Sequence, residues 1–427
     1  MNITLKILLF LLILGPVPNT NLGVLFDSIQ LTSLVIIFYF LFFKKTLVKT
    51  VNIEFTLKYI IRLSIYILVI VLPLTVFINT EGYQPEMLNS IIRPIRILIN
   101  FLGIWGLLTL YKNYYVNNYF NKICKDIVYI IALNAVVMFL QLYSGVFNSF
   151  STSILYSNID AIHFQVENRV GGFYLSGGSI PSMYQAIPLL IIPYLVKSKE
   201  LAKSKAIIIY VLLIISIIIT GRSGLILLPF SIYIMFTSAK NIQKTVILIL
   251  VSCFIILFST IILYFKEIVD ASNNEMLIFN YNRFLRLSLI SNETGTDQTI
   301  NIILNKFSIP SDTLGILFGN LNFSNYIIKN VSDMGYNISL YKYGIFGILI
   351  YYYPIIYMLK ITSKNKIQIN NPSFFVKIIL ITYLLLEFKE EVIYARNGFS
   401  IVLIIFLGLQ LWEKDKLRDE KKHINYK

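Results

Sequence analysis

Apolar runs of about 20 residues, the length that carries a helix across roughly 30 Å of hydrocarbon, recur along the whole chain. About twelve can be delimited: 3–18, 24–43, 58–78, 91–111, 125–144, 182–196, 206–220, 223–239, 245–265, 339–359, 375–388 and 398–412. They are rich in Ile, Leu, Phe and Tyr and carry no one-sided apolar stripe, the mark of helices surrounded by apolar matter on every side. In lipid a spanning segment must satisfy its own backbone hydrogen bonds, and helices do so within one segment. The pattern therefore predicts an all-α, polytopic integral membrane protein with about 12 transmembrane helices, read as a single multispan membrane domain over 1–427. The seventh and eighth runs nearly touch at Thr220-Gly221-Arg222-Ser223, which reads as a tight turn at one face.

The polar intervals set the orientation. With the N-terminus inside, the inner segments 44–58, 112–125, 197–205, 240–244, 360–377 and 413–427 carry 23 Lys and Arg, whereas the outer segments 79–90, 145–181 and 389–397 carry only Arg169, Lys389 and Arg396. Positive charge collects on the cytoplasmic side of membrane proteins, so both termini are expected in the cytoplasm of a multi-pass cytoplasmic (inner) membrane protein, with 413–427 as a cytoplasmic tail. A cleaved signal peptide is the competing reading of the first run. Lys6 precedes the apolar stretch, but Gly15-Pro16-Val17-Pro18 offers no A-x-A-like cleavage site.

Two outer segments exceed what a connector needs. One is 145–181; the other, 266–338, is the largest polar stretch of the chain, and both are expected on the outer (periplasmic) side. Within the second, Asn274–Ile290 is apolar over much of its surface and is predicted to lie as a helix on the membrane. A further short helix is predicted from the cap Thr296-Asp297 to Phe307, ahead of Pro310.

Composition narrows the class. Of 427 residues, 56% are hydrophobic and 14% charged, and the mean hydropathy is +0.72. A soluble domain is about 45–50% apolar and about 25% charged, so a soluble globule and a disordered chain are both excluded. Two cysteines, Cys124 and Cys253, sit in or beside apolar runs and give no disulfide framework; two histidines, His163 and His423, give no metal-ligand cluster. The net charge of +15 ordinarily suggests nucleic acid, but its distribution follows the membrane, and no nucleic-acid partner is expected. GxxxxGK[ST] does not occur, so a nucleotide is not the expected energy source.

Cation type is partitioned as well. The inner segments hold 22 lysines and one arginine, Arg418, while Arg93, Arg96, Arg169, Arg222, Arg283, Arg286 and Arg396 lie towards the outer side. The guanidinium fork grips phosphate or carboxylate at two points and stays charged at any working pH; topogenic charge needs neither property. Arg93 and Arg96 are three apart, hence on one helix face, and Arg283 and Arg286 repeat the spacing on the predicted surface helix. The plainer alternative is that these arginines reach for anionic headgroups or pair with Glu81 and Glu86. Asp160, His163 and Glu167 precede Arg169, and Asp333 closes the long loop. Each is a candidate general base if its pKa is tuned, although His163 also fits a solvated loop residue and Asp333 a helix cap.

Thr220-Gly221-Arg222-Ser223-Gly224-Leu225-Ile226 resembles the arginine motif of the O-antigen polymerase and O-antigen ligase superfamily. Arg169-Val170-Gly171-Gly172-Phe173, ahead of Pro181, is similar to that family's earlier outer-loop motif. Ser332-Asp333-Met334-Gly335-Tyr336, followed by Lys342-Tyr343-Gly344-Ile345-Phe346-Gly347, is similar to its loop end before a later span. The glycine-rich Leu175–Ile180 departs from the family, which more often has a small acidic or proline-containing stretch there.

The resemblance implies a membrane-embedded glycosyltransferase (GT-C-like) core with a large outer loop. It implies an enzyme that joins undecaprenyl-diphosphate-linked oligosaccharide repeat units on the outer face of the cytoplasmic membrane, without metal, nucleotide or other cofactor. Arg222 and Arg169 are then the first candidates for the diphosphate, followed by Arg283 and Arg286, then Arg93 and Arg96; His163, Glu167 and Asp333 compete for the base. Its partners would be the lipid-linked donor and acceptor, membrane lipids, a chain-length regulator and a flippase.

Two alternatives remain at this stage. One is the ligase of the same superfamily, whose long outer loop usually offers a histidine that 266–338 lacks. The other is a lipid-linked oligosaccharide flippase or another transporter, which would call for charges within spans and paired repeat halves. Arg62 and Glu387 are the nearest midspan charges, and no internal duplication is visible.

Overall fold

The computed structural model describes residues 2–16, 28–44, 85–154, 171–174, 179–221, 223–238, 309–310, 313–319, 335–364, 372–388 and 398–425. Among these residues the structure is all-helical, without a strand. In chain order the helices are α1 (Asn2–Leu14), α2 (Ser28–Tyr39), α3 (Pro85–Tyr115), α4 (Tyr119–Tyr143), α5 (Gly145–Ile154), α6 (Ser179–Lys197), α7 (Lys203–Thr220), α8 (Leu228–Ser238), α9 (Thr313–Phe318), α10 (Gly335–Lys364), α11 (Pro372–Leu386) and α12 (Gly398–Asn425). The apolar runs at 58–78 and 245–265, and the surface helices expected at 274–290 and 296–307, lie outside the described residues. Every other apolar run falls largely on helix over its described residues.

Among the described residues, four helices are long and apolar enough to cross a membrane: Tyr119–Tyr143, Ile180–Lys197, Lys203–Thr220 and Gly335–Ser363. Ile3–Leu14, Ser28–Phe42, Ser223–Thr237 and Pro372–Leu386 are apolar but shorter. Two helices form the centre of the bundle. On α12 every residue from Phe399 to Leu409 is buried, and on α6 every residue from Pro181 to Pro193. The two prolines inside α6, Pro188 and Pro193, are tolerated where neighbouring helices enclose the freed carbonyls. α7 shows the opposite arrangement: Leu213 and Ile217 are buried, whereas Ile207 and Ile208 on its other side are 63% and 69% exposed. An apolar face left open in this way suits lipid.

Side-chain contacts give the helix directions. Tyr194 at the end of α6 donates to Asn121 at the start of α4, and Asn118 reaches Glu200 at 2.7 Å. Lys112 of α3 pairs with Asp415 of α12 at 2.7 Å, where Tyr119 also donates at 3.1 Å. Trp412 stacks on Phe120, and Phe375 at the start of α11 meets Tyr194. One end of the bundle thus collects the end of α3, the start of α4, the end of α6, the start of α11 and residues 412–415 of α12. It is rich in lysine: Lys112, Lys122, Lys197, Lys199 and Lys203 are all there. α2 runs alongside α3 in the same direction, with Gln30 donating to the Arg96 carbonyl at 3.4 Å and Ser33 to Asn100 at 3.4 Å. The start of α3, with Arg93 and Arg96, therefore belongs to the opposite end.

Four features depart from the sequence pattern. α3 begins at Pro85, ahead of the apolar run that starts at 91. α12 continues unbroken to Asn425, so the segment expected as a tail, 413–427, is largely helix. The interval 145–181 opens with α5, and 266–338 contains α9. α10, moreover, is two helical pieces joined at Gly344, whose φ of 63° and ψ of −177° interrupt the helix. The end of α9 packs into that break.

Candidate functional site

The end opposite the lysines gathers buried polar side chains from four helices. On α4, Asn134, Met138 and Gln141 follow each other at helical spacing on one face, and all three are buried. Gln141 binds Gly172 twice: its Oε1 accepts from the Gly172 N–H at 2.9 Å and its Nε2 donates to the Gly172 carbonyl at 3.2 Å. Asn134 Oδ1 accepts from the Phe173 N–H at 2.8 Å. Gly172 has φ of +65°, and a methyl group there would run into the Asn134 amide. Glycine is needed for both reasons. Gly171, Gly172 and Phe173 come directly after Arg169-Val170, so the chain is fixed to α4 three and four residues after Arg169.

The second arginine motif is fixed nearby. Ser182 of α6 donates to the Gly221 carbonyl at 2.7 Å and accepts from the Gly224 N–H at 2.9 Å. Thr220, the last residue of α7, donates to the Ser216 carbonyl at 2.9 Å, and its hydroxyl lies 3.3 Å from the Met138 sulfur. Gln185 donates to Ser216 at 3.1 Å and lies 3.4 Å from the same sulfur. Met138 therefore stands between the two mounts, one on α4 and one on α6 and α7. Asn134 Nδ2 and Gln185 Oε1 have no hydrogen-bond partner among the described residues.

A third polar group lies at the same end, between α10 and α11. Glu387 is fully buried one residue past α11. The Tyr352 hydroxyl is 3.0 Å from Glu387 Oε1 and 3.1 Å from Ser339 Oγ. A phenol has one proton, so with an ionised carboxylate the chain runs from the Ser339 hydroxyl to Tyr352 to Glu387. Tyr336, three residues after Asp333, donates its N–H to the Glu387 carbonyl at 3.3 Å and its hydroxyl to the Leu384 carbonyl at 2.8 Å. α11 also packs against the short 3-10 helix Ser223–Leu227 that follows Arg222.

His163, Glu167, Arg169, Arg222, Arg283, Arg286 and Asp333 themselves lie outside the described residues, as do Asp160 and Arg396. Arg93 and Arg96 lie on α3, and Arg96 is half-buried. The structure thus places Gly172 and Phe173, three and four residues after Arg169, near Gly221 and Gly224, which flank the position of Arg222 in the chain. The polar residues that hold these segments escaped the charge-based reading. Their signal was present in the sequence: amides and hydroxyls inside apolar runs, with Asn134 and Gln141 two turns apart on one face.

Interhelical hydrogen bonds in membrane proteins average roughly 0.6 kcal/mol and reach about 1.7 kcal/mol. Bonds of that size add little to the stability of a large bundle. Their consequence is placement: Gly172 and Phe173 are held on α4 and Gly221 and Gly224 on α6, two helices that meet at Met138. Comparison with family models, with curated proteins and with solved structures finds no match.

Proposed function

We propose that the protein is a surface-polysaccharide polymerase, which joins oligosaccharide repeat units carried on undecaprenyl diphosphate by glycosyl transfer at the outer face of the cytoplasmic membrane. The observation that carries the reading is the shared mounting of the two arginine motifs. Gly172 and Phe173 are bound to α4, and Gly221 and Gly224 to α6, at the end of the bundle away from the lysines. Under the positive-inside rule the lysine end faces the cytoplasm, which puts both motifs on the outer side. Cysteines introduced singly at 155 and 300, with the native thiols removed, are expected to react with a membrane-impermeant reagent added outside, and those at 47 and 201 are not. Outside labelling at 47 or 201 would reverse the orientation.

The chemistry follows from the donor. A glycan on a lipid diphosphate carries its own leaving group, so no nucleotide is consumed. As the glycosidic bond to diphosphate breaks, negative charge grows on the departing oxygen. Donors fixed in a site poor in water stabilise such charge most effectively. Arg169 and Arg222 fill that role, with Arg283, Arg286, Arg93 and Arg96 as further cations; His163, Glu167 or Asp333 takes the proton of the acceptor hydroxyl.

Purified protein given lipid-diphosphate repeat units is expected to lengthen them without nucleotide and in the presence of chelator. Activity lost on chelation and restored by a divalent ion would remove the arginines from the leading role. In cells, a deletion strain is expected to show a single repeat unit on the lipid core; complete loss of attached glycan would point to a ligase or flippase instead.

A further inference from the structure

Ser182 occupies the first turn of α6 and is fully buried. A serine hydroxyl has one proton to give and two lone pairs. Here it gives the proton to the Gly221 carbonyl at 2.7 Å and takes one from the Gly224 N–H at 2.9 Å. The residues between those two backbone groups are Arg222 and Ser223. One side chain therefore closes the turn from both ends, as a clip.

The surroundings leave that clip little play. A methyl group on Gly224 would collide with the Ser182 carbonyl oxygen, so the turn lies directly against the α6 backbone. Three residues further along α6, Gln185 holds Ser216, and Thr220 binds back to the Ser216 carbonyl at 2.9 Å. The strand of chain entering the turn is thus fixed before it reaches Gly221. α6 is among the most enclosed helices of the bundle, and Ser182 joins the turn to it.

We propose that Ser182 is the positioning residue for Arg222: it sets where the guanidinium meets the diphosphate, without touching substrate itself. This rests on Arg222 binding the leaving diphosphate. It adds that the serine acts only through the arginine. Misplacing a reacting group by about 1 Å can cost on the order of a hundredfold in rate, so loss of the clip has a kinetic effect out of proportion to its contribution to folding.

A double-mutant cycle on the purified enzyme tests the idea, with lipid-diphosphate repeat units as substrate. Ser182→Ala is expected to lower kcat roughly tenfold or more with little change in KM or melting temperature. Ser182→Thr, which keeps the hydroxyl, is expected to recover most of the rate. On an Arg222→Lys background, Ser182→Ala is expected to add nothing. A further tenfold loss in the double variant, or a Thr variant as slow as Ala at equal stability, would overturn the assignment. If Arg222→Lys alone keeps full activity, the diphosphate reading falls and the positioning role falls with it.

A second measurement needs no activity. A cysteine placed by Ser223→Cys is expected to react with a soluble thiol reagent about tenfold faster once Ser182→Ala opens the clip, and at the original rate with Ser182→Thr. An unchanged rate in Ser182→Ala would show that the hydroxyl does not hold the turn. That outcome is distinct from a failure of the diphosphate reading.

Discussion

On the proposed polymerase reading, Arg222→Lys is expected to reduce polymerisation on the order of a hundredfold while leaving the protein folded and its topology unchanged. Lysine keeps the positive charge and satisfies any topogenic rule as well as arginine does. It loses the planar fork that meets two phosphate oxygens at once. Losing one such contact, in a site where charge develops away from water, costs roughly 2–4 kcal/mol of transition-state stabilisation. The described residues around that position, Gly221 and Gly224, are both bound to Ser182. The measurement is the chain-length distribution of surface glycan in a deletion strain that carries each variant at equal protein level. Arg418→Lys, at the lysine end of α12, serves as the control and is expected to behave as the parent. Full-length chains from Arg222→Lys would reduce Arg222 to a headgroup anchor.

The described helices were legible because long apolar runs are rare outside membrane helices, although among the described residues only four helices reach spanning length and four apolar ones are shorter. Their ends were not, for reasons that differ from helix to helix. α12 runs on from Trp412 through Glu413, Lys414 and Lys416 because glutamate and lysine are good helix formers in water. Hydropathy stops where the lipid stops; the helix need not. α3 starts early for a related reason, with Pro85 suited to a first helical turn.

α9 escaped notice because six residues, Thr313–Phe318, are too few to show a period. The candidate site was half legible. Arginine usage singled out the loops beside Gly171 and Gly221, and the structure ties both loops to buried polar residues. Asn134, Gln141, Ser182 and Gln185 carry no charge, so a survey of charges passes over them. Glu387 stood out as a charge inside an apolar run and lies just past the end of α11, but its bond to Tyr352 depends on α10 and α11 lying side by side, which no local pattern encodes.

Gly344→Ala is expected to destabilise the protein more than any other single-methyl change proposed here. At φ 63° and ψ −177° the backbone is in a region that glycine alone occupies readily, and other residues held there cost roughly 1–3 kcal/mol. Alanine adds a collision to that strain. Its methyl would meet the backbone of Leu317 and the amide of Gly319, just as a methyl on Gly319, at φ +82°, would meet the backbone of Lys342 to Gly344. Neither neighbour is a flexible side chain that can swing aside, so relief requires α9 to separate from α10. The melting temperature of the detergent-solubilised protein is expected to fall by several degrees in Gly344→Ala and again in Gly319→Ala. Gly145→Ala, where a methyl group would meet nothing within 4 Å, is expected to match the parent. Activity should fall with stability, since the chain leaves α9 at Gly319 and re-enters α10 at Gly335, with Asp333 between them. A parent-like melting temperature for Gly344→Ala would mean that α9 does not close on the break in α10.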